Sequence, residues 1–315
     1  MADERSRLMD RLAEERSELF HQLLRLDKSK LSRESFLDSW TAKDILAHLA
    51  AWDRWEHAQM ERMVAGDPPE EVATDAFNTL VVAESRDQSL TEVVEEVRDA
   101  RANWIAWLHD LPDDEFYQSR PHHGWDWAFP NCLRIQWEHD AEHAAQVAAW
   151  RRGCSSEHGT GPKSILLAAL NAARRELLSA AARVPARARA SREVCGIWTL
   201  KDLLGHLADW EEVGVEGLRM MAQGRPPDVE EVTDIDAWNR EHAAARRNQP
   251  WDRVWADLHE TRSELAVVLK GMSEERIPRW YRFPWGARGT AYDWIVVFVT
   301  HDRDHARDLR EILQG

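Results

Sequence analysis

The sequence predicts an all-α chain built as two tandem four-helix bundles, a pair resembling a dimer within one polypeptide. Three observations predict it: one long motif occurs twice, apolar residues recur at helical rather than alternating spacing, and histidines recur at matched places in the two halves. The motif WTAKDILAHLAAW at residues 40–52 returns as WTLKDLLGHLADW at residues 198–210, an offset of 158. Gly66-Asp67-Pro68-Pro69 answers to Gly224-Arg225-Pro226-Pro227, Thr74-Asp75 to Thr233-Asp234, and Ala76-Phe77-Asn78 to Ala237-Trp238-Asn239. Near the end of each copy His139-Asp140-Ala141-Glu142-His143-Ala144 matches His301-Asp302-Arg303-Asp304-His305-Ala306, now at an offset of 162. The added residues fall in predicted turns, where an insertion does not rotate a helix face. The polar, glycine-rich stretch GCSSEHGTGP at residues 153–162 is the expected seam, giving copies at residues 1–153 and 162–315.

Taken in order, the first helix is expected over residues 4–26, with Leu8, Leu12, Leu19, Leu23 and Leu26 on one face, and its counterpart over residues 163–184. The second starts at Thr41, an N-cap with Asp44 three residues on to complete a capping box, and Thr199 with Asp202 repeats the device. Gly66 and Gly224 end it. A short helix through Phe77 or Trp238 follows. The third carries Val93, Val94, Val97, Trp104 and Leu108, matched by Val254, Leu258, Leu265 and Leu269. The fourth holds a pair of histidines four residues apart. No run alternates as a half-buried strand would, and the apolar residues 295–299 sit inside a longer helical pattern.

Composition narrows the function classes. A net charge of −15 without a basic cluster excludes nucleic acid and anionic membrane surfaces as partners. With 31% charged residues, no stretch approaches the roughly 20 apolar residues that span a bilayer. The first residues lack the apolar core of a secretory signal, so a cytoplasmic protein is expected. Cys132, Cys154 and Cys195 form no CxxC pair, which fits reduced thiols, and no ligand role is assigned to them. The 17 tryptophans supply core area first and pocket walls second.

Residues four apart on a helix share a face, so His139 and His143 can reach one ion, as can His301 and His305. His48 and His206, on the apolar side of the second helix, would complete each triad. Three neutral imidazoles suit zinc, nickel or iron(II) and leave coordination positions open for water or a substrate. An isolated HxxxH on a charged helix is more often solvated, and core packing inherited from the duplication is an alternative. Yet six of the 14 histidines recur in the two triads and the other eight do not. Asp140, Glu142, Asp302 and Asp304 can orient imidazoles from behind, although most are expected to be solvated. Trp52 and Trp210, one turn beyond the second-helix histidines, either wall a pocket or pack the core. Asn78 and Asn239 either bind substrate or cap a turn.

With WTAKDILAHLAAW, TDAFN and EHDAEHAAQ in view, the chain resembles the DinB-like (DinB/YfiT) superfamily and within it the ClbS/DfsB group. The similarity covers nearly the whole chain as two consecutive domains, a departure from the usual single domain. It implies four-helix bundles, often dimeric, in which one histidine of the second helix and the HxxxH pair of the fourth hold a metal. That pattern falls on His48, His139 and His143, and on His206, His301 and His305. It also implies a range of activities: transfer of low-molecular-weight thiols to electrophiles, maleylpyruvate isomerisation, or hydrolytic detoxification of reactive metabolites.

The leading expectation is therefore a metal-dependent enzyme, a thiol transferase or hydrolase acting on a small electrophilic metabolite, with no catalytic side chain assignable and a thiol cofactor as one source of the nucleophile. The alternatives are a small-molecule binding or sequestration protein with structural metal sites, and a scaffold with remnant sites. The pseudo-dimer is expected to act as a monomer or small homo-oligomer. Divergence between the copies, with His123 opposite Trp285 and Pro121 opposite Phe283, predicts unequal pockets.

Overall fold

The structure, a computed structural model, describes residues 2–122, 125–154, 159–229 and 231–314. It is all-α apart from four two-stranded ribbons, and it divides into two compact units, Met1–Ala168 and Ala169–Gly315.

The first copy runs α1 (Ala2–Leu23), α2 (Lys28–Arg33), β1 (Ser35–Leu37), β2 (Trp40–Thr41), α3 (Ala42–Val64), α4 (Thr74–Glu84) and α5 (Leu90–Asp110). It continues with α6 (Asp113–Tyr117), β3 (Arg120–His122), β4 (Trp125–Trp127) and α7 (Phe129–Arg151). The second runs α8 (Lys163–Ala182), β5 (Glu193–Cys195), β6 (Trp198–Thr199), α9 (Leu200–Ala222), α10 (Ile235–Arg246) and α11 (Trp251–Gly271), then β7 (Trp280–Arg282), β8 (Arg288–Thr290) and α12 (Ala291–Gln314). The long helices α1, α3, α5 and α7 form one bundle, in which α1 packs on α7 and α3 on α5. In the second, α9 packs on α11 and α12.

Local chemistry accounts for the boundaries. Thr41 and Thr199 each accept from the backbone of the third helical residue, and Asp44 and Asp202 accept in return from the N-cap backbone. Each such box stabilises the start of its helix by about 1 kcal/mol. At the far ends Gly66 (φ +87) and Gly224 (φ +78) take the left-handed conformation, and the following N–H groups reach back to Arg62 and Met220. These paired 6→1 and 5→2 bonds close the last turn and release the chain into the loop. The ribbons were absent from the sequence expectation because strands of two or three residues are too short to show alternation. The first helix stops at Leu23 rather than continuing to residue 26, because Arg25 adopts φ +68.

Leu12, Leu19 and Leu23 are buried as expected, as are Val93, Val94, Val97, Trp104 and Leu108 on α5. Residues 295–299 lie within α12. No helix among the described residues is long and apolar enough to cross a membrane. Residues 155–158 of the expected seam, and His123 and the side chain of Pro121, lie outside the described residues.

Candidate metal centres

Two charge lattices, one per copy, fix the helices that carry the histidines. In the first copy Arg16 on α1 and Arg101 on α5 face Asp53 on α3 and Asp140 on α7. Arg101 donates to both carboxylates at 2.7–3.1 Å, and Arg16 donates to Asp140 at 2.8 and 3.1 Å. In the second Arg174, Arg262, Glu211 and Asp302 repeat the arrangement, with Arg174 donating to Glu211 at 2.7 Å and Arg262 to Asp302 at 2.7 Å. All eight side chains are buried. Burial works to raise the pKa of Asp140, but Arg101 and Arg16 outweigh it and hold the carboxylate below its ordinary range. Asp302 is held down in the same way by Arg174 and Arg262.

The expectation that most of the acidic neighbours are solvated is thus corrected for Asp140 and Asp302, which tie the histidine helix to the rest of the bundle. Glu142 is exposed, and Asp304 is half-buried beside Arg307. Sequence reading missed the arginines because a lone Arg on a helix carries no motif. The signal that could have found them is the repeat itself, since Arg16 and Arg174 share the offset of the tryptophan motif.

On this frame each copy brings its three predicted histidines together. His48 on α3 meets His139 on α7 with 2.8 Å between Nε2 atoms, and His143 Nε2 lies 3.1 Å from His139 Nε2. In the second copy the His206–His301 and His305–His301 Nε2 distances are 3.0 and 3.1 Å. A tetrahedral ion with metal–nitrogen bonds of 2.0–2.1 Å requires its ligand nitrogens about 3.3 Å apart, so each cluster needs to open by a few tenths of an ångström.

The donor set fits a cation on two further counts. Burial first, then the neighbouring imidazoles, lower His48 to about 3 and His206 to about 2, while His139 and His301 are lowered to about 4. Burial also lowers His143 and His305. All six are neutral at pH 7 and can present lone pairs. The Nδ1 atoms of His48 and His206 are buried with no hydrogen-bond partner. Protons placed on Nδ1 are therefore unsatisfied, and protons placed on Nε2 crowd the centre. Three inward Nε2 lone pairs repel one another with no cation between them, whereas a divalent ion would use all three, with the proton of each ring then on Nδ1.

The groups behind the ligands differ between the copies. His143 Nδ1 lies 2.7 Å from Gln146 Oε1, so an Nδ1–H donated to the amide leaves the Nε2 lone pair facing inward. At the equivalent place Asp308 Oδ2 stands 3.3 Å from His305 Nδ1, close but not aligned as a hydrogen bond. Cys195, half-buried on β5, joins His305 and Asp308 in a cluster whose ligand atoms lie within 4.8 Å of one another. Cys132 is buried and all three cysteines are unpaired.

Aromatic residues wall both centres. Trp40 and Trp198 lean on His48 and His206, with ring centroids 5.0 and 4.7 Å away. Trp52 and Trp210 donate their indole N–H groups to Asn78 and Asn239 at 2.9 and 3.0 Å. The two asparagines thus orient a tryptophan, a role the sequence reading did not weigh. Trp210 lines a cavity of about 500 Å³ that opens onto His206, His301 and His305.

A family model for the DinB superfamily matches residues 11–147 and again residues 169–309. No curated protein and no solved structure matches the chain.

Proposed function

The chain belongs to the DinB superfamily through both of its halves, and on that premise we propose that it is a metal-dependent enzyme acting on small electrophilic metabolites by hydrolysis or thiol transfer. The observation that carries the reading is the convergence of three neutral Nε2 atoms in each copy. His48, His139 and His143 hold one ion and His206, His301 and His305 the other, with zinc, nickel and iron(II) as the suitable metals. When bound, the ion would supply Lewis acidity, which polarises an electrophile or acidifies a water or thiol.

The chain's own residues do the rest. The buried arginine–carboxylate lattices keep His139 and His301 aimed across the bundle at α3 and α9. Gln146 selects which nitrogen of His143 faces inward, and the Asp308 carboxylate stands behind His305 Nδ1, where it favours a proton on that atom. Trp52 and Trp210, each held by an asparagine, form one wall beside the ligand histidines. Among the described residues, the lining of the second pocket contains no serine, cysteine or lysine. The nucleophile is therefore a water or a thiol brought in with the substrate, and no side chain is assigned that part. We divide the activity between two bundles at residues 1–153 and 162–315, and place it in the cytoplasm, where three unpaired cysteines stay reduced.

The test is metal content per chain, on protein purified without a histidine tag, for the unmodified chain and for His143→Ala and His305→Ala. Two equivalents falling to one in each variant support two separate centres; no metal under any loading condition discards them. Turnover of a model electrophile that stops on chelation supports the enzyme. Stoichiometric capture without product favours the binding protein instead.

A further inference from the structure

The cavity of the second copy has a chemistry of its own. Its walls are Trp198, Trp210, Trp285 and Phe298 with the aliphatic Ile235 and Val297, and its volume of about 500 Å³ suits a small organic molecule. Among the described residues, the one ionisable group in the lining besides the three histidines is Asp304, which pairs with the exposed Arg307 at 2.7 Å. No described lysine or arginine lines it. Ring faces carry negative potential and attract flat aromatic edges, faces and cations, while offering nothing to an anion.

The aromatic wall is built by substitutions that come in matched pairs. Trp285 stacks on Trp294 at 5.2 Å with an interplanar angle of 20°, and Phe283 packs against both. Trp294 is fully buried and its indole donates to the Gly214 carbonyl at 2.9 Å. Both Trp294 and Phe298 fit because α9 has glycine opposite them: a Cβ on Gly217 would come within 2.5 Å of Trp294, and one on Gly214 would collide with Phe298. At the equivalent positions the first copy has Glu56 for Gly214, Gln136 for Phe298, Gln59 for Gly217 and Cys132 for Trp294. There Glu56 and Gln136, both buried, put two polar side chains where the second copy has glycine and a ring. Both helices changed together, so the second pocket is shaped to hold Trp285 in place.

We infer that the second copy, and not the first, binds a flat aromatic or heteroaromatic compound bearing no negative charge, lodged against the walls made by Trp198, Trp210 and Trp285 beside the His206 centre. This rests on the reading of the cavity as the substrate site of the proposed enzyme and narrows it: apart from a group that coordinates the ion itself, dicarboxylates and other anions are disfavoured there.

The test compares naphthalene-2-carboxamide with naphthalene-2-carboxylate, one ring system with and without a charge, by isothermal titration calorimetry at pH 7.5. Metal-loaded and chelator-stripped protein are both titrated, so the comparison stays readable even if the chain proves to hold no metal. In stripped protein the carboxamide is expected to bind once per chain and the carboxylate at least tenfold more weakly. Trp285→Ala, on the loop between β7 and β8, should weaken the carboxamide tenfold or more while far-ultraviolet dichroism stays unchanged. Asp304→Asn should narrow the gap between the two probes. Equal affinities in stripped protein, two equal sites per chain, no effect of Trp285→Ala, or no binding of either probe at millimolar concentration would each overturn the inference.

Discussion

Replacing Arg101 by methionine tests whether the buried lattice holds the first bundle together. Arg101 donates to Asp53 at 2.7 and 3.1 Å and to Asp140 at 2.9 Å, from a side chain only 3% exposed. Methionine keeps the aliphatic volume and removes the cation. Two carboxylates with no measurable exposure then face Arg16 alone, leaving one buried negative charge without a partner. Breaking a buried pair in this way costs about 3–5 kcal/mol. At ~1.4 kcal/mol per decade, that is roughly a 10²- to 10⁴-fold rise in exchange of the most protected amides. Hydrogen exchange followed by mass spectrometry separates the copies, because peptides from α3, α5 and α7 report on the first and those from α9, α11 and α12 on the second. Arg262→Met should produce the mirror result. Arg54→Met, which removes an exposed contact with Glu96, is the control and should cost under about 1 kcal/mol. If Arg101→Met changes protection no more than Arg54→Met does, the lattice is not what fixes α7, and the account of how His139 is positioned fails.

Three further outcomes follow from the same structure. Burial, and secondarily Asp53, raise Glu56 to about 7 from an ordinary 4.5, against the lowering effect of Gln136, with Cys132 also facing it. The folded chain therefore holds a proton that the unfolded chain has released between those values, so stability falls as pH rises through this window and levels off above it, by about 3 kcal/mol. Glu56→Gln should abolish that slope in urea titrations of chelator-treated protein from pH 4.5 to 8; parallel profiles for the two proteins would contradict it. Gly217→Ala should destabilise by about 1–3 kcal/mol through the clash with Trp294, reversing the gain of about 1 kcal/mol that alanine brings to an unhindered helix position; a raised melting temperature would show that Trp294 can yield. Asp308→Asn, made with His143→Ala so that one centre remains, should weaken metal binding 10- to 100-fold in competition with a chromophoric chelator. Unchanged affinity would mean that Asp308 does not act on His305.

The duplication, the helical class, the capping boxes at Thr41 and Thr199, and the grouping of six histidines were legible in the residues alone. These are periodic or repeated features: a helix face recurs every three or four residues, and a duplicated constraint leaves its mark twice. Tertiary structure alone decided that Asp140 and Asp302 lie buried against arginines from other helices, since partners more than a hundred residues apart are joined by packing and not by spacing. It also decided the work of Asn78 and Asn239, which turn their carbonyls to tryptophans on a neighbouring helix. The aromatic walls of the second cavity stood half-visible in the sequence as Trp285 opposite His123. Their cause, glycines on α9 that admit Trp294 and Phe298, became readable only when the two helices were seen in contact, because the space a missing Cβ leaves has meaning only for the residue that fills it.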